Sequence, residues 1–413
     1  MNTISQPVHV TLEEPLFLGL APYLRMNING TNLLQVAQHL LSLAEHDNSD
    51  ANVLMNLSTT MFCLQQKALG LAIQSQALEL RSVFHLAASQ QPAKLRLLML
   101  VVPGDLSANM PLDCLLENSD VDLVYYYVDS CAPLAFPVPD HDALIVAISE
   151  SDENRALIVK LDQALAHWPK PVINSPRNIQ NTDRNQASIL LQNVQGLLMP
   201  PTVRSTRQAL LDIVEGKMKL NDLFEGCDFP IILRPVGSHA GRDLEKIAHA
   251  EEIRTYMTRV ADTDFFLSKF IDYSGKDGLF RKFRIALIDG NAYACHMAVS
   301  SDWMVHYVNA GMYEDASKRA EELAFMNQFD DFSRHHKVAL DTIYKRSKLD
   351  YVCIDCAETR EGELLIFEID HAMVVHAMDT ETLFPYKQAH MLKVKDAFRD
   401  YLFRLTNHQV VNN

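Results

Sequence analysis

Apolar residues recur along the chain with two different periods, and the change from one to the other divides it into zones. Leu33, Leu34, Val36, Ala37, Leu40, Leu41 and Leu43 keep the spacing of a helix with one buried face. The polar break His46-Asp-Asn-Ser-Asp50 offers capping side chains for a second helix starting near Ala51, and a third runs from about Lys67 to Leu80. Residues 1–92 therefore read as a helical region.

From Lys94 the period shortens. Leu95–Val102, Val121–Val128 and Ala143–Ile148 are short apolar runs bounded by turn residues, as strands of a buried parallel sheet would be. A helical stretch from Asn154 to Trp168 and a strand at Pro171–Asn174 follow. Strands alternating with helices predict an open α/β domain over 93–199, with ligands expected at its strand ends. Gly196-Leu-Leu-Met-Pro-Pro-Thr202 reads as a linker, because paired prolines interrupt regular structure.

The last zone, 200–413, mixes both periods. Strands are expected at 229–235, 264–271, 280–288 and 291–298, the last two joined by a hairpin turn at Asp289-Gly290. Helices over 313–348 precede a final strand pair at 350–357 and 363–370. The whole is an α/β (α+β) fold of two or three domains, as 413 residues would suggest.

The net charge is −15, which argues against a broad nucleic-acid or anionic-membrane surface, since both need clustered cations. No apolar run reaches the roughly 20 residues that span a bilayer. Met1–Pro15 shows no basic stretch followed by an apolar one, so no secretory signal is expected, and seven scattered cysteines suit the cytoplasm. Cys353 and Cys356 form a C-x-x-C. On a strand, however, positions three apart face opposite sides, which argues against redox or zinc chemistry.

Two constellations carry candidate chemistry. Arg234-Pro-Val-Gly-Ser-His-Ala-Gly-Arg242 sets a cation at a strand end before a loop with Gly237 and Gly241. Such a loop can bring backbone N–H groups to an anion, with Arg234 and Arg242 adding forked donors, although a surface turn with ordinary arginines fits too. The second is a carboxylate set. Glu368 and Asp370 share one strand face, and pairing with the strand of Asp355 would converge three carboxylates, the oxygen donors that Mg²⁺ prefers.

Taken in order, these motifs resemble the ATP-grasp superfamily over about 196–403. The family has a strand ending in lysine-proline, here Phe229-Pro-Ile-Ile-Leu-Arg-Pro235, before a small-residue loop over the ATP phosphates, here Gly237, Ser238, His239, Gly241 and Arg242. A hinge strand meeting adenine matches Leu267-Ser268-Lys269-Phe270-Ile271, with Asp272 for the ribose. Lys282 and Arg284 match the family's basic strand, and Asp355 with Glu368-Ile-Asp370 matches its metal ligands. Two departures stand out: Arg234 replaces lysine, and Asp370 replaces asparagine. The paired N-terminal helices, with Gly70 and Ala77, resemble a tetratricopeptide unit, and a small helical bundle fits them equally.

The resemblance implies an ATP-grasp fold over 200–413, with subdomains at about 206–272 and 273–405. It implies ATP and two Mg²⁺ ions (Mn²⁺ being an alternative) as cofactors, and a carboxylate–amine ligase working through an acyl phosphate on an amino acid or peptide. His296 is a candidate proton acceptor beside Lys282 and Arg284, and His306, His371 and His376 compete with it, while a hydrogen-bonded packing role is the more ordinary reading of each. His335 and His336 read as solvated, and Arg204 and Lys217 as secondary phosphate contacts. An ATP-grasp phosphotransferase and a non-catalytic ATP-binding module remain alternatives. The N-terminal helices are open to a protein partner or to homodimerisation.

Overall fold

The computed structural model describes residues 16–128, 134, 137–238, 241–307 and 309–410. Four helices come first: α1 (Ala21–Ile28), α2 (Leu33–His46), α3 (Ala51–Cys63) and α4 (Lys67–Leu80). Asn32 and Asp50 cap α2 and α3 by accepting from backbone N–H groups that the first helical turn leaves unpaired. Gly70 lets α4 press against α3, because a Cβ there would collide with the Phe62 ring at 2.5 Å.

The chain then lays down β1 (Val83–Leu86), β2 (Leu95–Val101), α5 (Leu112–Leu115), β3 (Val121–Tyr127), β4 (Ala143–Val146), α6 (Arg155–Leu165), β5 (Val172–Ile173), α7 (Pro176–Ile179) and α8 (Arg184–Leu190). The sheet order is β1-β3-β2-β4-β5, all parallel except β1. β1 lies inside the stretch expected to be helical, and it seals the sheet edge beside β3. Alternate residues of β2 explain the layering. Leu97, Met99 and Val101 join a core with the N-terminal helices, while Leu98 and Leu100 pack on the α6 side. The order of strand addition switches sides between the parallel strands β2 and β4, with β3 on one flank and β4 on the other, and such a switch point leaves a crevice at their carboxyl ends.

Two short strands, β6 (Leu197–Leu198) and β7 (Thr202–Thr206), enter the expected linker from either end and leave 199–201 between them. Next come α9 (Arg207–Val214), β8 (Ile231–Pro235), β9 (Glu245–Ile247), α10 (Ala250–Arg259) and β10 (Asp264–Lys269). They form an antiparallel sheet of order β7-β10-β8-β9, with α9 and α10 sharing its own apolar core.

The remainder is β11 (Phe280–Ile288), β12 (Asn291–Ser300), α11 (Ala316–Asn327), α12 (Phe329–His335), α13 (Lys337–Ser347), β13 (Tyr351–Glu358), β14 (Leu364–Asp370) and α14 (Lys387–Val410). The third sheet runs β12-β11-β13-β14-β6. Asp289 and Gly290 both take positive φ in the β11–β12 turn, as a two-residue hairpin requires. One face, with Phe283, Ile285, Leu287, Val352 and Ile354, packs on α11–α13, and the other, with Ala286, Ile288 and Tyr351, packs on α14. Cys353 and Cys356 lie in these two different cores, so the C-x-x-C pair is split by the sheet. Among the described residues no helix is long and apolar enough to cross a membrane.

Candidate functional site

The third sheet delivers its polar residues in register. Arg284 of β11 stands opposite His296 of β12 and Asp355 of β13, and Asp355 stands opposite Glu368 of β14. An irregularity after Asp355 leaves Phe367 as an extra residue in β14, so Phe367, Glu368 and Asp370 all line one cavity. That cavity, of about 480 Å³, lies between the second and third sheets and reaches the crevice of the first through Leu106 and Ser107, which follow β2.

Its polar end is a charge lattice. Asp355, almost fully buried, takes 2.7 and 3.0 Å hydrogen bonds from the Arg284 guanidinium and a 2.6 Å contact from Lys282 Nζ. Burial alone would raise its pKa. Arg284 and Lys282 outweigh that and hold it far below the usual carboxylate range. Arg284 also donates to the Val374 carbonyl at 2.9 Å, which ties the segment after β14 to the site. Glu368 is likewise depressed, with Arg184 and Arg234 overcoming its burial. Asp370 accepts from the Ala372 amide at 2.9 Å.

Arg184, which bonds the Glu368 carboxylate, carries no signal in the sequence reading. It opens α8, whose cap Asp183 accepts from the Asn185 and Gln186 amides at 3.0 Å, and this fixes where the arginine emerges. The motif Asp-Arg at a helix start was the available clue, but the contact spans 184 positions. Arg234, at the end of β8, is buried and turned back on its own loop, donating to Ser238 Oγ at 3.0 Å. Burial first, and then Arg184, bring its pKa down to about 10.

The other end of the cavity is richer in apolar side chains, with Lys269 the one cation among its described residues. Ser268, Lys269, Phe270 and Ile271 line it with Ile232, Leu244 and Trp303. Phe270 sits between the Trp303 ring, edge-on at 5.7 Å, and the Lys246 ammonium, 3.8 Å above its face.

The cavity thus gathers Arg234, Gly241, Ser268, Lys269, Phe270, Ile271, Lys282, Arg284, Asp355, Glu368 and Asp370. Gly237, Ser238, Arg242, Asp272 and His296 do not line it. Gly237 and Gly241 both hold positive φ, but only Gly241 reaches inward, and a Cβ there would meet His306 at 3.5 Å. Arg242 is exposed and paired with Asp243, because its loop turns it to solvent. Asp272 accepts from the Ser274 amide and faces Arg360 at 3.6 Å rather than the interior. His239 lies outside the described residues.

The histidines separate clearly. His296 stands opposite Arg284 and packs edge-on to the Tyr307 ring, with its buried Nδ1 lacking a hydrogen-bond partner, and burial followed by Arg284 depresses its basicity strongly. His306 lines the cavity instead. His371 is fully buried, bonded to the Ile148 carbonyl at 2.9 Å and pulled down to about 4 by that burial. His376 accepts from the Met378 amide. His336, expected to be solvated, is instead buried beside Phe332 and contacts Glu358 at 2.9 Å, because it sits in the bend between α12 and α13, while His335 stays exposed. Arg204 pairs with Asp152 and Asp183, and Lys217 pairs with Glu215, so neither reaches the cavity.

No family model matches the chain, and no curated protein does. Among solved structures, D-alanine–D-alanine ligase from Bacillus anthracis complexed with ATP is similar at a TM-score of 0.44 and 15% identity, over 76% of this chain and 99% of that one. A RimK domain ATP-grasp protein from Sphaerobacter thermophilus gives 0.42 at 13%, over 75% of this chain and 99% of its own. The D-alanine–D-alanine ligase from Coxiella burnetii gives 0.47 at 11%, over 77% and 97% respectively.

Proposed function

We propose that the cavity binds Mg–ATP and that the protein is an ATP-dependent ligase joining a carboxylate to an amine. One observation carries this reading. In a chain of net charge −15, the cavity is lined by five cations (Arg184, Arg234, Lys269, Lys282 and Arg284) against three carboxylates. The site is therefore net positive by 5 − 3 = 2 and open to a polyanion, while its other end offers the apolar walls that a flat base would occupy.

The donors suit magnesium in type, being three carboxylates on adjacent strands around one cavity. Glu368 and Asp370 would hold the ion, and Asp355, whose two oxygens both accept from its cations, would have a lone pair left to offer it. A carboxylate has about four lone-pair positions, so both uses fit. When bound, magnesium neutralises phosphate charge in the transfer.

Lys282 and Arg284 would stabilise the charge that spreads over a transferring phosphoryl group, and their pairing with Asp355 fixes them before substrate arrives. In the proposed reaction a substrate carboxylate oxygen bonds to the γ-phosphorus as the bond to ADP breaks. The amine nitrogen then bonds to the acyl carbon, and phosphate leaves with the C–O electron pair. His306, on the cavity wall, is better placed than His296 to take the amine proton. The carboxylate would enter from the crevice lined by Leu106, Ser107 and Val374.

The test is ADP release from Mg–ATP with pooled amino acids and peptides, followed by hydroxylamine trapping. A ligase yields a hydroxamate of its carboxylate substrate. ADP formation with a phosphorylated product and no hydroxamate would point to phosphotransfer.

A further inference from the structure

We infer that His335, His336 and Glu358 form a binding site for a divalent transition-metal ion, with zinc the best match. It lies on the outer side of the third sheet. None of the three lines the cavity, and Glu358 is three residues beyond Asp355 on β13, roughly 10 Å along the strand.

Two elements bring the donors together. His335 ends α12, and His336 occupies the bend into α13, so adjacent residues present both rings to the same place. Glu358 ends β13. His336 is buried, its ring 4.5 Å from Phe332, and its Nε2 lies 2.9 Å from Glu358 Oε1. The His335 ring stands 4.6 Å from that of His336, nearly perpendicular, with its Nε2 3.3 Å from the Gly362 carbonyl. One donor atom from each of the three residues falls within 4.8 Å of the other two.

Zinc takes imidazole nitrogen and carboxylate oxygen at about 2.0–2.2 Å, which sets tetrahedral donors roughly 3.5 Å apart. Closing the set needs a shift of about 1 Å, and the two exposed members, His335 and Glu358, can supply it while His336 stays fixed. Water or the Gly362 carbonyl completes the shell. Two imidazoles with one carboxylate select zinc, nickel or copper over magnesium or calcium, which prefer all-oxygen sites. The ion would clamp the α12–α13 bend to the β13–β14 hairpin that carries Asp355, Glu368 and Asp370.

The experiment uses untagged, metal-stripped full-length protein titrated with Zn²⁺ by calorimetry and with Co²⁺ by visible absorption. The expected result is one zinc equivalent that raises the melting temperature, with cobalt d–d bands of a low-coordinate site. Glu358→Gln and His335→Ala, both at exposed positions, should each weaken that equivalent at least about 10-fold. Asp370→Asn should leave it unchanged, which separates it from metal in the cavity. Absence of zinc binding below millimolar concentration overturns the inference, and so does an equivalent that neither His335→Ala nor Glu358→Gln weakens.

Discussion

Asp355 and Arg284 face each other across adjacent antiparallel strands and share two hydrogen bonds, of 2.7 and 3.0 Å. Lys282 closes on the same carboxylate at 2.6 Å. Asp355 is therefore at once a candidate metal ligand and the counter-ion that keeps two shielded cations in place.

These two roles give Asp355→Asn and Glu368→Gln different signatures. Both should abolish Mg-dependent ADP production. Asp355→Asn should also lower unfolding stability by about 3–5 kcal/mol, because it strands Arg284 and Lys282 without their counter-charge. Glu368 is more open to solvent, so Glu368→Gln should cost much less. Urea denaturation beside an ADP assay reads both; equal stability loss in the two variants would contradict the counter-ion role.

Arg184 reaches Glu368 from helix α8, outside the third sheet, so it tests whether the α/β domain completes the nucleotide site. Arg184→Gln should raise the KM for ATP about 10-fold or more, corresponding to a lost charge-assisted contact of about 1.5 kcal/mol, with the fold intact. Unchanged nucleotide affinity would confine Arg184 to a structural role.

Docking of α14 should depend on pH. Arg399 clasps Asp120 with two hydrogen bonds of 2.6 Å, and this pairing takes the Asp120 pKa down to about 2. In the unfolded chain the same group takes up a proton near pH 4. Its stabilisation is thus present above about pH 4 and is lost as pH falls through about 2. After allowance for solvent screening at Arg399, the loss amounts to about 1–2 kcal/mol. The drop in melting temperature between pH 7 and pH 3 should be smaller in Asp120→Asn than in the parent.

What could be foreseen from the residues follows from how far each signal travels along the chain. The α/β character and most strands were readable because alternation is local. The same period of two places Glu368 and Asp370 on one face, and only the register had to come from the fold. Arg184 and Trp303 were not foreseen, since each reaches the cavity by a long-range contact that leaves no spacing rule. His296 shows the opposite failure: its strand position opposite Arg284 suggests the site, but its side chain packs on the Tyr307 ring and does not line the cavity. Gly237 and Gly241 are equivalent in sequence, and only the path of the loop turns one inward.

Lys387 is the strongest case of a residue hidden in an ordinary pattern, and it carries the last prediction. It opens a charged helix, yet it is almost fully buried, 2.8 Å from Asp379 and 3.4 Å from the completely buried Glu322. Its ammonium also lies 3.9 Å over the Tyr307 ring. Tyr307 donates to Glu322 at 2.9 Å, so this cluster anchors the segment carrying Trp303 and His306 along the cavity wall. Lys387→Met would leave two buried carboxylates uncompensated, a cost of about 3–5 kcal/mol. Adding Asp379→Asn removes one of those charges and should recover part of the loss, a non-additivity that a double-mutant cycle in urea would read. If the cluster positions the wall, Lys387→Met should also raise the KM for ATP under conditions where the variant is still folded. A stability loss with unchanged KM would mean that it holds the fold and leaves the wall alone.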